Sequence, residues 1–228
     1  MSRFSRLEVF RAVLETGLVP IFYHPDGETA REVVRACAAG GARVVEFTHR
    51  GDFALDVFRG LAHWARQEVP EVVLGVGSVV DAPTAALYLA CGADFVVSPA
   101  FIREVARLCN RRQAAYIPGC GTVGEILRAC EWGAEVVKLF PAQVLGPAFI
   151  RAVRGPCPWV RLLPTGGIRP AEAEVRAWLE AGAAAIGMGS ELIRREWVEA
   201  GDWAAIAGTV REVLEWIRGF RRQNADGK

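Results

Sequence analysis

The sequence WGAEVVKLFPA at residues 132–142 contains the pattern that decides the fold. Its Gly-Ala step precedes an apolar, β-prone run, and the same order occurs as GGARVVEF (40–47), CGADFVVS (91–98) and AGAAAIGM (181–188). A glycine at the end of a helix can adopt a left-handed cap that turns the chain into the next strand. The recurrence therefore predicts one helix-to-strand connection that is repeated along the chain.

Eight candidate strands with helix-like segments between them extend this pattern over the whole chain. Their starts are separated by 20 to 29 residues, at 18–23, 43–48, 72–76, 95–98, 115–117, 136–140, 160–165 and 184–187. Strands that alternate with helices imply a parallel sheet, and eight such units predict an α/β, single-domain (β/α)8 TIM barrel over residues 1–228. The alternative is an open doubly wound sheet, but no GxGxxG motif follows the first strand.

The sequence also predicts the structure of the two ends of the chain. Residues 1–17 predict an amphipathic N-terminal helix rather than a signal peptide, because charges interrupt every apolar stretch. Residues 221–228 are expected to form a frayed tail.

The composition is that of a soluble globular protein. A hydrophobic fraction of 52%, a charged fraction of 23% and a formal net charge of +1 give no basic excess for nucleic acid. The longest apolar runs contain about ten residues, whereas a membrane helix needs roughly 20. Six cysteines without a CxxC pair indicate a reducing compartment, so we expect a cytoplasmic protein. The three histidines show no HxH or HxxxH spacing, so we expect no metal site.

A single internal lysine interrupts the apolar run of the sixth candidate strand. Of 27 Lys and Arg residues, only Lys138 and Lys228 are lysines. A charge is costly to bury, and the simple interpretation of Lys138 is a structural ion pair. Arginine would serve an ion pair equally well, whereas only lysine can lose its proton and attack a carbonyl carbon. The choice of lysine therefore favours an amine nucleophile.

Polar side chains follow the candidate strands at their carboxyl ends, where (β/α)8 barrels place their active sites. Because side chains alternate along a strand, Glu46 and Thr48 share one face, and we expect Glu46 and Lys138 both to point into the barrel. Arg50 lies just beyond the second strand, where its guanidinium can bind a carboxylate, although a solvated loop charge is the simpler interpretation.

Two glycine-rich turns follow the seventh and eighth candidate strands. They are PTGGI (164–168) and GMGSEL (187–192), and each precedes a helix. Backbone N–H groups at such turns commonly bind phosphate in barrels, although glycine also simply permits a tight turn. The presence of two adjacent turns favours a phosphate site.

Seven segments occur in the order and spacing of the 2-keto-3-deoxy-6-phosphogluconate (KDPG) aldolase family, which also includes 4-hydroxy-2-oxoglutarate (KHG) aldolase activity. They are VVEFTHR, GVGSV, VVSPA, IPGCGT, VVKLFPA, LLPTGGI and IGMGS, and the resemblance covers about residues 18–195. It implies a class I aldolase that reversibly cleaves KDPG to pyruvate and glyceraldehyde 3-phosphate, in carbohydrate metabolism of the Entner–Doudoroff type. It also implies a homotrimer that uses no cofactor and no metal. An aldolase for KHG or for another 2-keto-3-deoxy acid is the nearest alternative.

The resemblance also implies roles for individual residues. Lys138 would form the Schiff base with the pyruvate half of the substrate, and Glu46 would be the general acid/base that works through a water. The implied substrate-binding residues are Arg50, Thr48, Ser78, Pro99, Phe140 and Thr165, and the implied phosphate-binding residues are Gly166, Gly167, Gly189 and Ser190.

Several positions depart from the usual family pattern, namely His49, Gly51, Asp52, Ala100, Gly121 and Gln143. They fall in the half of the site that would contact the aldehyde part of the substrate, so a sugar acid other than KDPG is an alternative substrate. Two further alternatives belong to other classes. One is a phosphate-binding barrel isomerase or synthase in which Lys138 only binds charge, and the other is a non-catalytic barrel that uses its surface for assembly.

Overall fold

A computed structural model describes residues 2–225 of the protein. Within these residues the strands are short, and all paired strands are parallel. They are β1 (Leu18–Phe22), β2 (Val44–Thr48), β3 (Val73–Gly77), β4 (Phe95–Val97), β5 (Ala115–Ile117), β6 (Gly119–Cys120), β7 (Val137–Leu139), β8 (Leu162–Pro164) and β9 (Ile186–Met188).

The strands close into a barrel. One sheet has the order β5-β4-β3-β2-β1-β9, and the other has the order β6-β7-β8. A parallel bridge between Thr165 and Gly187 joins β8 to β9, while β5 and β6 follow each other with only Pro118 between them. The predicted (β/α)8 barrel is therefore confirmed, with one addition. The fifth predicted strand, 115–117, is observed as β5, and a further two-residue strand, β6, follows Pro118, which has no N–H group to donate to a ladder.

Apart from the first, which precedes β1, the helices follow the strands around the outside of the barrel. They are α1 (Arg6–Thr16), α2 (Gly27–Ala39), α3 (Ala54–Glu68), α4 (Ala82–Ala90), α5 (Arg103–Arg112), α6 (Val123–Glu131), α7 (Ala142–Arg154), α8 (Glu172–Glu180), α9 (Arg195–Ala200) and α10 (Trp203–Ala225). None of these helices within residues 2–225 combines the length and the apolar character that crossing a membrane requires.

The expected N-terminal helix is α1, and it begins at a capping box. The Ser5 hydroxyl accepts the N–H of Glu8, and the Glu8 carboxylate accepts the N–H of Ser5. Side chains of α1 such as Phe10 and Val13 join the inward-facing residues of the strands in one buried apolar cluster. The helix therefore closes the amino-terminal end of the barrel.

The chain before α1 is held at the barrel by Asp94, which lies at the start of β4. The Asp94 carboxylate accepts the backbone N–H groups of Arg3 (2.9 Å) and Leu74 (3.1 Å), and the Arg3 guanidinium lies 3.5 Å away. Burial raises the pKa of Asp94, and these three contacts oppose the rise. Asp94 thus anchors the N-terminal segment to the barrel wall.

The C-terminal segment differs in part from the expected frayed tail. Helix α10 continues through residues 221–225, and the Arg221 guanidinium donates to the carbonyl oxygens of Glu15 (2.6 Å) and Ala184 (3.0 Å). Residues 226–228 lie outside the described residues.

Candidate active site

The alternation of side chains along β2 and β7 places Glu46 and Lys138 inside the barrel. Their neighbours on the same strands, Val45, Phe47, Val137 and Leu139, are buried in the core that the helices share. Glu46 and Lys138 are instead among the few buried charged residues that the structure describes. The expectation that both side chains point inward is confirmed.

Lys138 is a buried amine with a carboxylate beside it. The residue is only 6% exposed, and its Nζ atom lies 3.8 Å from Oε1 of Glu46. The same nitrogen lies 5.4 Å from the centre of the Phe140 ring, which is within the range of a cation–π contact. The amine therefore sits in a partly dry site between one carboxylate and one aromatic face.

Glu46 is held in a site that a glycine makes possible. The residue is 2% exposed, and its Oε1 atom has no hydrogen-bond partner within residues 2–225. A Cβ atom at Gly77, on the neighbouring strand β3, would overlap this oxygen, so the carboxylate occupies the space of the missing side chain. Burial raises the pKa of Glu46, and the positive charges of Lys138 and Arg50 oppose the rise.

Arg50 follows β2, and its side chain is oriented by a hydrogen bond to a residue that follows β3. Its Nε atom donates to the Ser78 hydroxyl at 3.1 Å. Ser78 has a left-handed backbone conformation (φ 61°), which is uncommon for a residue with a side chain. Thr48, two residues before Arg50, is buried, and its hydroxyl has no partner within residues 2–225.

A cavity of about 610 Å³ opens at the carboxyl ends of the strands. It brings together most of the site residues expected from the sequence, since its lining includes Lys138, Arg50, Thr48, Phe140, Thr165, Gly166, Gly167, Gly189 and Ser190. Three expected residues do not line it. Glu46 lies beside Lys138, Ser78 bonds to Arg50, and the Pro99 backbone fills the space that a side chain at Gly119 would need.

His49, which departs from the family pattern, does not line this cavity. Its Nδ1 atom lies 2.9 Å from the Tyr88 hydroxyl of α4, and the two rings meet edge to face at 5.4 Å. The imidazole thus packs between the barrel and the helices, and it does not contact the cavity that would hold an aldehyde.

Comparison with known proteins decides which family has this site. The family model described as KDPG and KHG aldolase matches residues 10–209 of the chain. The chain belongs to the KDPG and KHG aldolase family. Aldolases are carbon–carbon lyases, so the protein is an enzyme of that class.

Individual members of the family are similar along nearly their whole length. The KHG/KDPG aldolase of Escherichia coli K12 is 34% identical over 206 residues, which is 90% of this chain and 94% of that protein. The 2-dehydro-3-deoxy-phosphogluconate aldolase of Pseudoalteromonas atlantica is 34% identical over 89% of this chain and 92% of its own. The crystal structure of the KDPG aldolase of Legionella pneumophila, with pyruvate captured as a covalent carbinolamine intermediate, matches with a TM-score of 0.80 and 26% identity. That match covers 89% of this chain and 96% of the other.

Sequence reasoning missed several residues of this aldolase's cavity. The side of the cavity near β1 and β9 is lined by His24 after β1 and by Glu191, Arg195 and Glu199 after β9. His24 could have been predicted as a cavity residue from its position close after the first strand. The other three residues lie up to ten residues beyond the glycine turn, on or near the short helix α9, which no repeat in the sequence predicts.

A metal centre is not formed by the described part of the aldolase. Residues 2–225 contain no group of three or more His, Cys, Asp or Glu side chains arranged to hold a metal ion. The six cysteines are all free thiols, and burial raises the pKa of Cys37, Cys109 and Cys120 to about 12.

Proposed function

We propose that the protein is a class I aldolase in which Lys138 forms a Schiff base with the pyruvate half of a 2-keto-3-deoxy acid. The observation that carries this proposal is the buried Lys138 amine, 3.8 Å from Glu46 and open to a cavity of about 610 Å³. The similar Legionella pneumophila enzyme, which holds pyruvate as a covalent carbinolamine, supports the same chemistry here.

The reaction begins when the neutral Lys138 amine adds to the C2 carbonyl carbon, giving a carbinolamine that loses water to form a protonated imine. Arg50 binds the adjacent carboxylate so that the carbonyl carbon meets Nζ. The imine then accepts the electron pair of the C3–C4 bond as that bond breaks. Glu46 takes the proton of the C4 hydroxyl, directly or through a water, and the aldehyde leaves.

The remaining enamine is returned to pyruvate by the same two residues. Glu46 returns the proton to C3, and water adds to the imine carbon and releases pyruvate from Lys138. Burial raises the pKa of Glu46, which suits a carboxyl group that must both take and return a proton near neutral pH. The reverse sequence of steps joins pyruvate to an aldehyde.

KDPG is the substrate that this proposal favours, with pyruvate and glyceraldehyde 3-phosphate as products. The turns at Gly166–Gly167 and Gly189–Ser190 line the same cavity as Lys138, and backbone turns of this kind bind phosphate. KHG and other 2-keto-3-deoxy acids are the alternatives, since they require the same pyruvate half.

We also propose that the enzyme is a cytoplasmic homotrimer, as the family resemblance implies. Exposed apolar side chains such as Phe53 (80% exposed) and Val144 (75%) support an assembly that covers apolar surface. Light scattering on the purified protein measures the mass directly, and a monomer at working concentrations would contradict the trimer.

Borohydride trapping tests the mechanism. We expect that incubation with pyruvate followed by reduction adds one pyruvate-derived group to Lys138, detected by peptide mass spectrometry, and that Lys138→Ala is not labelled. Labelling that persists in Lys138→Ala would exclude Lys138 as the residue that forms the Schiff base, and no labelling of the native enzyme would exclude the Schiff base itself. A panel of 2-keto-3-deoxy acids coupled to pyruvate detection then identifies the substrate, and cleavage of any member excludes a non-catalytic barrel.

A further inference from the structure

The cavity has two chemically different ends. Lys138, Arg50 and Phe140 form the reactive end, as described above. The other end lies between the segments that follow β1 and β9, and its charged side chains are Glu191, Arg195 and Glu199. The Arg195 Nε atom donates to Glu199 at 2.6 Å, so this guanidinium already has a carboxylate partner.

The charged groups at this outer end include no firmly held cation. The Arg195 and Glu199 side chains are 88% and 60% exposed, so water screens their charges. A phosphate group carries between one and two negative charges near neutral pH. It would therefore gain from a further cation that is held in place at this end.

His24 lies where it can supply that cation. Of the three histidines, only His24 lines the cavity within the described residues. Its Nδ1 atom accepts the backbone N–H of Asp26 at 3.1 Å, so the ring is held and the proton of the neutral imidazole belongs on Nε2. When the ring is protonated, Nδ1 can instead donate to the Asp26 carbonyl oxygen, 3.3 Å away. The ring can thus gain a charge in place.

We infer that His24 is a specificity-determining residue that binds the outer, anionic end of the substrate through Nε2, so that protonation of His24 selects for phosphorylated aldehydes. This inference rests on the proposed aldolase function, and it names the residue that sets the enzyme's preference for a phosphorylated aldehyde. Several titratable or charged groups contact the imidazole or share its cavity. They are Tyr23 and Asp26 from its own segment, Arg50 after β2, Lys138 on β7, and Glu191, Arg195 and Glu199 after β9.

Aldol addition of pyruvate to two aldehydes provides the test. D-glyceraldehyde 3-phosphate and D-glyceraldehyde differ only in the phosphate, so the ratio of their kcat/KM values cancels effects of Lys138, Glu46 and Arg50 on the shared chemistry. The ratio is measured at about pH 6 and about pH 8, which lie on either side of the range in which histidines change charge. The phosphate itself titrates near pH 6, so each ratio is compared with that of a variant without the imidazole.

His24→Gln, which keeps a neutral donor, is expected to lower the phosphate ratio by about tenfold at pH 6 and much less at pH 8, because a charge-assisted hydrogen bond becomes a neutral one. His24→Lys is expected to keep a high ratio at both pH values. His63→Gln, on α3 and outside the cavity lining, is the matched control and should behave as the native enzyme does.

The inference is overturned if His24→Gln has the native ratio at both pH values. It is also overturned if His24→Lys loses the preference for the phosphorylated aldehyde. Pyruvate trapping on Lys138 in each variant shows that it is folded and reactive. An absence of trapping in the native enzyme would overturn the proposed function itself, whereas normal trapping with unchanged ratios would overturn only the role of His24.

Discussion

The Nζ atom of Lys138 lies 3.8 Å from Oε1 of Glu46, and both side chains are almost completely withdrawn from solvent. Burial raises the pKa of Glu46, and the positive charge of Lys138 opposes that rise. A proton that leaves the amine therefore has a nearby acceptor.

Glu46→Gln is expected to lower cleavage activity by about 10²- to 10⁴-fold, the usual effect of removing a general acid/base. In the native enzyme kcat/KM should rise with pH as Glu46 ionises, and this rise should lie above the pH of an ordinary glutamate because burial raises its pKa. A pH–rate profile of both proteins provides the measurement. If kcat/KM of the Glu46→Gln variant still fell at low pH as it does in the native enzyme, that fall would come from the ionisation of another group.

The same variant should change how stability depends on pH. A raised carboxyl pKa in the folded state means that the native protein loses stability as pH rises through that value, because the buried group must then ionise. Glu46→Gln lacks this loss. The difference in the free energy of unfolding between variant and native protein should therefore move in favour of the variant from pH 5 to pH 8, as denaturant titrations at several pH values would show.

Gly77→Ala is expected to reduce kcat by roughly hundredfold, because the new methyl group would overlap Oε1 of Glu46 and displace the carboxylate. Gly60→Ala, within α3, is the matched control, since a Cβ atom there meets nothing within 4 Å. The control should keep full activity and gain about 0.5 to 1 kcal/mol of stability, as glycine to alanine changes inside helices commonly do. Steady-state kinetics on both variants would decide, and a fully active Gly77→Ala would contradict the packing argument.

Arg50→Lys is expected to raise KM for the keto acid about tenfold while changing kcat less, because an ammonium group cannot reproduce the two-point binding of a carboxylate. Ser78→Ala removes only the hydroxyl that accepts Nε of Arg50 at 3.1 Å, so its effect on KM should be smaller and in the same direction. Saturation kinetics give both constants. A larger effect from Ser78→Ala than from Arg50→Lys would indicate that the serine contacts the substrate itself.

Asp94→Ala is expected to destabilise the enzyme by about 3 kcal/mol, since it leaves the N–H groups of Arg3 and Leu74 without their buried acceptor. The kcat of the folded fraction should stay near the native value, because Asp94 does not line the cavity. Denaturant unfolding and kinetics measure the two effects separately. A loss of kcat that matched the loss of stability would show that the anchor also shapes the site.

The barrel and the Glu46–Lys138 pair inside it could be predicted from the sequence because both depend on local periodicity. The Gly-Ala joints mark where the strands begin, and alternation along β2 and β7 places Glu46 and Lys138 on the inner face. The two-residue strand β6 after Pro118 was not predicted, because so short a segment carries no periodic pattern.

The outer half of the cavity could not be predicted from the sequence, because it depends on contacts between distant segments. His24 and Arg195 are 171 positions apart in the sequence and line the same cavity because β1 pairs with β9. His49 illustrates the opposite case. Its position between Thr48 and Arg50 suggested a role at the substrate, but alternation along the strand turns it toward Tyr88.

Helix α1 has a consequence for how molecules enter and leave the barrel. Because its apolar side chains fill the amino-terminal end, the cavity opens at the carboxyl ends of the strands. Lys138 is buried within that cavity, whereas Arg195 at its outer end is 88% exposed. In the reaction proposed above, the substrate and both products would share this opening, and an aldehyde in the outer part would have to leave before a keto acid bound at Lys138.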